Sequence, residues 1–367
     1  MTSLFDQVTL DDGPKRPDES LFKFIERSNS EQMIQARSTL QLFLNELPKK
    51  HQQSFANKIR NGKDTDCEAT IFEILVHSFL LRSGSQVIEV EPDIGGRKPD
   101  FLAETNDGQR FVVEASVLQD MSAEEATVYR IWDALNKIRP CKYYLHLRVT
   151  GTFDQTPSLK GLKRRFACWV KQIGETEPQP FEETINEVKI LVRPIRPIGA
   201  GYMGPTISAA EPASARWVGP PADIRSKIKR KRKNLKYVED PAILALKIPI
   251  LHGNTDSMLS AFIGDERTFV NRNDGTFEGI SRSDNGVFWH QDEPQNTKIS
   301  GLLIFKSIEP WSIMHSQVEY WANPWAKLDF DGTKFQVEQW TLNLETKDFE
   351  KNTEAKALNN IFAGENN

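Results

Sequence analysis

Pro99-Asp100-Phe101-Leu102-Ala103-Glu104, followed by Arg110-Phe111-Val112-Val113-Glu114-Ala115-Ser116-Val117, is the stretch that decides how this chain of 367 residues is read. Both runs are rich in β-branched and aromatic residues, and Asn106-Asp107-Gly108 between them is turn chemistry, so the pattern predicts a hairpin. A third extended run, Gln86 to Glu91, precedes it across the turn at Gly95-Gly96. Upstream, Phe72, Leu75, Val76, Phe79 and Leu80 recur at helical spacing until Gly84, and Thr65-Asp66-Cys67-Glu68 fits a capping box at the helix start. Downstream, a second capping box at Ser122 to Glu125 leads into Val128, Ile131, Trp132, Leu135 and Ile138, a helical stripe ended by Pro140. Tyr143 to Val149 then reads as a strand. Helix, three strands, helix, strand is an α/β unit of the α+β kind, with a mixed sheet in αβββαβ order rather than successive βαβ crossovers.

Outside this unit the pattern is looser. Residues 1–60 read as a polar lead with an amphipathic helix over Glu31 to Leu47, whose apolar positions are Met33, Leu40, Leu42, Phe43 and Leu47. Leu159 to Ile173 reads as a helix and Val188 to Val192 as a strand, so the core unit is set at 61–193. A Pro- and Gly-rich loop follows at 194–223, and 224–367 is a long C-terminal extension. That extension holds a helix over Ile224 to Tyr237 and strands at Ile243 to Leu251 and Ile299 to Phe305. The aromatic residues Phe288, Trp289, Trp311, Trp321 and Trp325 are spread over separate segments and are expected in the core.

Composition narrows the function classes. With 38% hydrophobic and 27% charged residues the chain is neither disordered nor fibrous, and 47 basic against 51 acidic residues exclude a globally basic coat protein. Cys67, Cys141 and Cys168 form no zinc-ligand pattern with the six histidines, which points to a reducing cytoplasm. No apolar window is long enough for a membrane helix, so no membrane partner is expected.

Two acids stand in the hairpin, Asp100 before one strand and Glu114 in the middle of the next. Pro-Asp pairs are common in turns, so Asp100 alone means little. Glu114, set among Phe111, Val112, Val113 and Val117, is expensive to bury unless paired or metal-bound. A hairpin can bring both carboxylates to one sheet edge, where a hard divalent cation takes oxygen ligands and keeps several waters. Such a cation polarises a phosphoryl oxygen and activates water, which is phosphodiester hydrolysis chemistry.

The stretch resembles the PD-(D/E)XK nuclease superfamily, also called the restriction-endonuclease-like fold. Its signature is a Pro-Asp on the second strand and acid-any-Lys on the third, here Pro99-Asp100 and Glu114-Ala115-Ser116. The resemblance covers roughly Thr65 to Thr150. It implies Mg2+, with Mn2+ able to substitute, held by Asp100, Glu114 and the Ala115 carbonyl, and Glu73 on the preceding helix as an outer ligand or water holder. Ser116 stands where the family usually has lysine, and the displaced cation is sought first in Lys98, then in Arg130 or Lys137. Glu68 is read as the capping-box acid, His77 as a packing residue, and Gln119 as a residue able to orient water.

A second signal is Arg225 to Lys236, eight basic residues without an acid in a chain of net charge −4. Lys227, Lys229, Arg230, Lys231, Arg232 and Lys233 are the expected phosphate contacts, with Lys160, Lys163, Arg164 and Arg165 extending the surface. The reading is a Mg-dependent endonuclease acting on DNA rather than RNA, in restriction, phage defence or repair. The competing reading is a catalytically silent nucleic-acid binder of the same fold. A homodimer is expected if both strands are cut, by pairing of two sites.

Overall fold

Val113, Ala115 and Val117 pack into one apolar layer and Val112 into another, so the strand Arg110–Val117 carries helices on both faces. The structure, a computed structural model, describes residues 2–6, 10–11, 13, 15, 19–118, 123–138, 141–151, 158–173, 179–198, 206–211, 220–249, 255–271, 276–290, 293–306, 308–313, 317–343 and 348–352.

The chain opens with four helices, α1 (Leu21–Arg27), α2 (Glu31–Glu46), α3 (Lys49–Asn61) and α4 (Asp64–Arg82), then β1 (Gln86–Val90), β2 (Phe101–Glu104) and β3 (Arg110–Val117). Next come α5 (Ala123–Asn136), β4 (Tyr143–Gly151), α6 (Leu159–Gln172), β5 (Phe181–Ile185), β6 (Val188–Pro197) and β7 (Ile207–Glu211). Then follow α7 (Pro220–Lys231), β8 (Ala242–Ile248), α8 (Thr255–Ile263), β9 (Glu266–Val270), β10 (Phe277–Arg282), β11 (Trp289–His290) and β12 (Glu293–Pro294). The last strands are β13 (Ile299–Lys306), β14 (Gln317–Ala322), β15 (Glu338–Asn343) and β16 (Asp348–Asn352).

These elements divide into two compact units: Met1–Pro14, Ser20–Leu118 and Gly219–Asn367 form one, and Lys15–Glu19 with Gln119–Val218 the other. The first holds an eight-stranded sheet in the order β1-β2-β3-β8-β13-β14-β15-β16. β1, β2 and β3 run antiparallel, while β3–β8 and β8–β13 are parallel pairs, so the sheet is mixed. Helices α1 to α4 lie on one face, and Ile224 and Ile228 of α7 with Met258 and Phe262 of α8 fill the layer on the other. The hairpin between β2 and β3 is as expected, with Phe101 opposite Val113 and Gly108 at φ +86° in its turn.

Two expectations are corrected. The strand Tyr143–Gly151 does not complete the main sheet. β8 lies beside β3, so the helix–strands–helix–strand order is realised as α4-β1-β2-β3-α7-β8, with the second unit inserted between β3 and α7. The core therefore draws on both 61–193 and 224–367. The reason lies in burial: Ala242–Ile248 is buried at every position, as a central parallel strand must be, whereas β4 alternates buried Leu145, Leu147 and Val149 with His146, Arg148 and Thr150. Second, the 194–223 segment is not all loop, because β6 runs to Pro197 and β7 pairs with β4 in parallel.

The second unit is a four-stranded sheet, β5-β6-β4-β7, with one face packed against Ile131 and Leu135 of α5 and Leu162, Phe166 and Val170 of α6. The helix start at Ser122 lies outside the described residues. The C-terminal strands β13 to β16 extend the main sheet. Trp321 and Phe288 are fully buried, as expected, while Leu42, expected on the inner stripe of α2, is 49% exposed. Among the described residues no helix is long and apolar enough to cross a membrane.

Candidate functional site

Alternation along β3 puts Glu114 and Ser116 on the α7 side of the sheet, and the β2 register brings Asp100 beside them. The Ala115 N–H donates to Asp100 Oδ2 at 2.6 Å, tying the acid at the start of β2 to the middle of β3. Glu114 is 1% exposed. Its Oε1 accepts from Lys231 Nζ at 2.7 Å and Asn234 Nδ2 at 2.9 Å, while Oε2 has no partner among the described residues.

Lys231 reaches this place because of how α7 is seated. Ile224 and Ile228 are fully buried against the sheet, and Lys231, one turn beyond Ile228, continues that inner face at the helix C-terminus, where a cation is favoured. The following 3₁₀ turn, Arg232–Leu235, brings Asn234 to the same carboxylate and buries Leu235.

Negative charge is in excess here, and with burial it bears on the titration of Asp100, Glu73 and Lys231. Burial pushes the Asp100 carboxyl well above the usual range, repulsion from Glu114 and Glu73 adds to it, and Lys231 and the Ala115 N–H oppose it. Glu73, on α4, is raised by burial, against Lys58 and Lys231 and with Glu91 and Glu114. For Lys231 burial disfavours the charge, but Glu114, Asp100 and Glu73 outweigh it and hold the ammonium above the ordinary lysine value.

Asp100, Glu114 and Ala115 are thus brought together, Glu73 of α4 acts on the charge of Asp100, and Ser116, 6% exposed, lies on the same face as Glu114. Lys98, the first candidate for the displaced cation, is exposed, and Lys231 is the lysine that meets Glu114. Lys137 is paired with Asp133 at 2.8 Å and Arg130 is exposed, both in the inserted unit; Gln119 lies outside the described residues. The basic run divides: Lys231 belongs to the carboxylate site, Lys227 is half-buried and pushed down to about 8 by burial and by Arg230 and Lys231, and Arg232 donates to Asn296. Lys229, Arg230 and Lys233 are exposed.

Glu68 has no capping role, since α4 starts at Asp64 with Lys63 as N-cap and no side-chain cap bond. Its carboxylate instead accepts from Lys247 on β8 at 2.6 Å, and Lys247, 4% exposed, also pairs with Glu309 at 3.0 Å. Neither Asn234 as a site residue nor the pairing of Lys231 with Glu114 was legible, because each contact spans more than a hundred positions of the chain.

Among the described residues no group of three or more His, Cys, Asp or Glu side chains is gathered as a metal cage. Two carboxylates suit a hard cation that keeps several waters, and the buried Glu114 Oε2, without a partner among the described residues and beside a carboxyl whose charged form burial and the neighbouring acids disfavour, fits such an ion. Comparison with protein-family models, curated proteins and solved structures finds no match for this chain.

Proposed function

We propose that this chain is a metal-dependent nuclease hydrolysing DNA phosphodiester bonds, with a site of the PD-(D/E)XK kind. The observation that carries the reading is the convergence of Asp100 and Glu114 through the Ala115 N–H, with Lys231 on Glu114. Asp100, Glu114 Oε2 and the Ala115 carbonyl would hold Mg2+ or Mn2+. Such an ion supplies polarisation of the phosphoryl oxygen and a water of lowered pKa.

The chain's own residues do the rest. Lys231 stays protonated at neutral pH, so it serves as a fixed positive charge against the negative charge that builds on the phosphoryl group, the part the motif lysine plays in the resemblance. Asn234 locks Glu114 Oε1 and leaves Oε2 directed to a ligand. Glu73, its carboxyl raised, is suited to accept and hold a water proton. Ser116 contributes a hydroxyl beside Glu114.

The silent-binder reading draws support from the Lys231–Glu114 pair, which neutralises Glu114 without a metal. One assay separates the two. Purified protein is incubated with supercoiled plasmid or single-stranded DNA and Mg2+ or Mn2+, beside folded Asp100→Ala and Lys231→Met variants. A nuclease loses cleavage by a factor of about a hundred or more in each while DNA affinity changes little. Cleavage that survives Asp100→Ala removes the site assignment, and no cleavage by the parent protein with salt-sensitive binding retained selects the silent binder.

A further inference from the structure

We infer that the face of the four-stranded sheet that no described helix covers is a binding surface for single-stranded nucleic acid, carried by the inserted unit and not by the unit that holds the carboxylate site and α7. Both helices of the unit that are described pack on one face of this sheet, against Leu145, Leu147 and Val149 of β4 and Val188, Ile190 and Val192 of β6. The alternate residues therefore line the other face. On β4 these are Tyr144, His146 and Arg148, and on β6 Lys189, Leu191 and Arg193.

Register places these groups side by side. His146 stands opposite Arg193, Arg148 opposite Leu191 and Tyr144 opposite Arg196, whose guanidinium lies 5.0 Å from the centre of the Tyr144 ring. Arg148, Lys189, Arg193 and Arg196 are all exposed. Among the described residues the guanidinium of neither Arg148 nor Arg193 has an ion-pair or hydrogen-bonding partner. Among the described side chains Glu182 of β5 approaches Lys189 at 3.8 Å, and the backbone register sets Glu211 of β7 level with Arg148.

Arg148 lies diagonal to both Lys189 and Arg193, and like charges gathered on neighbouring strands cost stability, so this face is suited to an anion. Apolar surface lies among the cations. The register shift between Tyr144 and Leu145 leaves Ile195 unpaired and 56% exposed, beside Arg196 of the Tyr144–Arg196 stack, and half-buried Leu191 lies further along β6. Cations spaced between flat and apolar groups match a strand whose phosphates and unstacked bases are both available, whereas a duplex offers only phosphates to an open sheet.

The test uses the full chain with Asp100→Asn, in chelator, so that binding is read without cleavage. Fluorescence anisotropy measures a labelled oligothymidylate on the order of twenty nucleotides, longer than the site such a fold covers, beside a duplex and heparin. Arg148→Gln with Arg193→Gln is expected to weaken single-strand binding about tenfold or more and to lower the salt slope by about 1.4, two phosphates at about 0.7 each. Tyr144→Leu weakens it about tenfold because the ring no longer stacks on a base, and Arg148→Lys with Arg193→Lys restores most of the affinity. Unchanged single-strand affinity and slope in the double Gln variant, at unchanged melting temperature, overturns the inference. Equal losses on the strand, the duplex and heparin also overturn it, since they mark a general polyanion patch. Failure of cleavage by the parent protein leaves this result untouched, because no arm of the test uses cleavage.

Discussion

Glu114 illustrates what one residue can disclose. An acid in the middle of an apolar strand cannot be left alone in the interior, and it holds Lys231 and Asn234 on one oxygen while the other has no partner among the described residues. Asp100 is the second half of the same tension. Its raised pKa means that the folded protein binds the proton more tightly than the unfolded chain, so the associated stability is present at low pH and is lost as pH rises through the folded value. Asp100→Asn keeps an oxygen for the Ala115 N–H and removes the buried charge. It should therefore melt higher than the parent protein at neutral pH in chelator, by about 2–4 °C for each kcal/mol relieved, and lose the upward shift that Mg2+ gives the parent. Differential scanning calorimetry with and without Mg2+ checks both, and a lower melting temperature for the variant in chelator would show that the charge is not strained.

At the scale of an element, α7 combines two jobs in twelve residues. Its inner face buries Ile224 and Ile228 and ends on Lys231, and its outer face carries Lys229 and Arg230, with Lys233 exposed just beyond. Ile228→Ala opens a cavity under the helix and is expected to cost about 2–4 kcal/mol, and because it unseats Lys231 it should also slow cleavage. Lys229→Gln, Arg230→Gln and Lys233→Gln together should leave stability within about 0.5 kcal/mol of the parent each, yet lower DNA affinity and flatten the salt slope by about 0.9 for each phosphate no longer neutralised. Denaturant titration and anisotropy read the two effects apart; an unchanged slope would take the outer face out of the interface. The run was legible as charge, but its division was not, since composition does not say which cation of a helix faces inward.

For the whole molecule, acid sensitivity follows from His77. It is 2% exposed, its Nδ1 has no partner among the described residues, and burial, with His51 adding and Glu46 opposing, lowers its pKa from 6.5 to about 4. The unfolded chain then binds the extra proton between these values, so this contribution is complete above about pH 6.5 and disappears as pH falls to about 4. It amounts to at most about 3 kcal/mol at 1.36 per unit. His77→Leu should flatten the loss of stability between pH 7 and 4.5 in denaturant titrations. Equal pH slopes in variant and parent would assign the acid sensitivity to other groups.

What the sequence determined by itself was local: the β2–β3 hairpin with its turn, the helix before it, and an acid too deep in an apolar strand to be incidental. These rest on periodicity, turn chemistry and the cost of burying charge, all of which act within about twenty residues. The tertiary structure decided that β8 rather than β4 lies beside β3, and that the lysine serving Glu114 comes from α7 rather than from Lys98. An α5-β4 pair and an α7-β8 pair have the same helix–strand pattern, and only the burial of β8 on both faces, which depends on the layers closing around it, sets them apart. Pairings across the inserted unit join residues more than a hundred positions apart, and no local pattern records which distant partner a strand or a charge will meet.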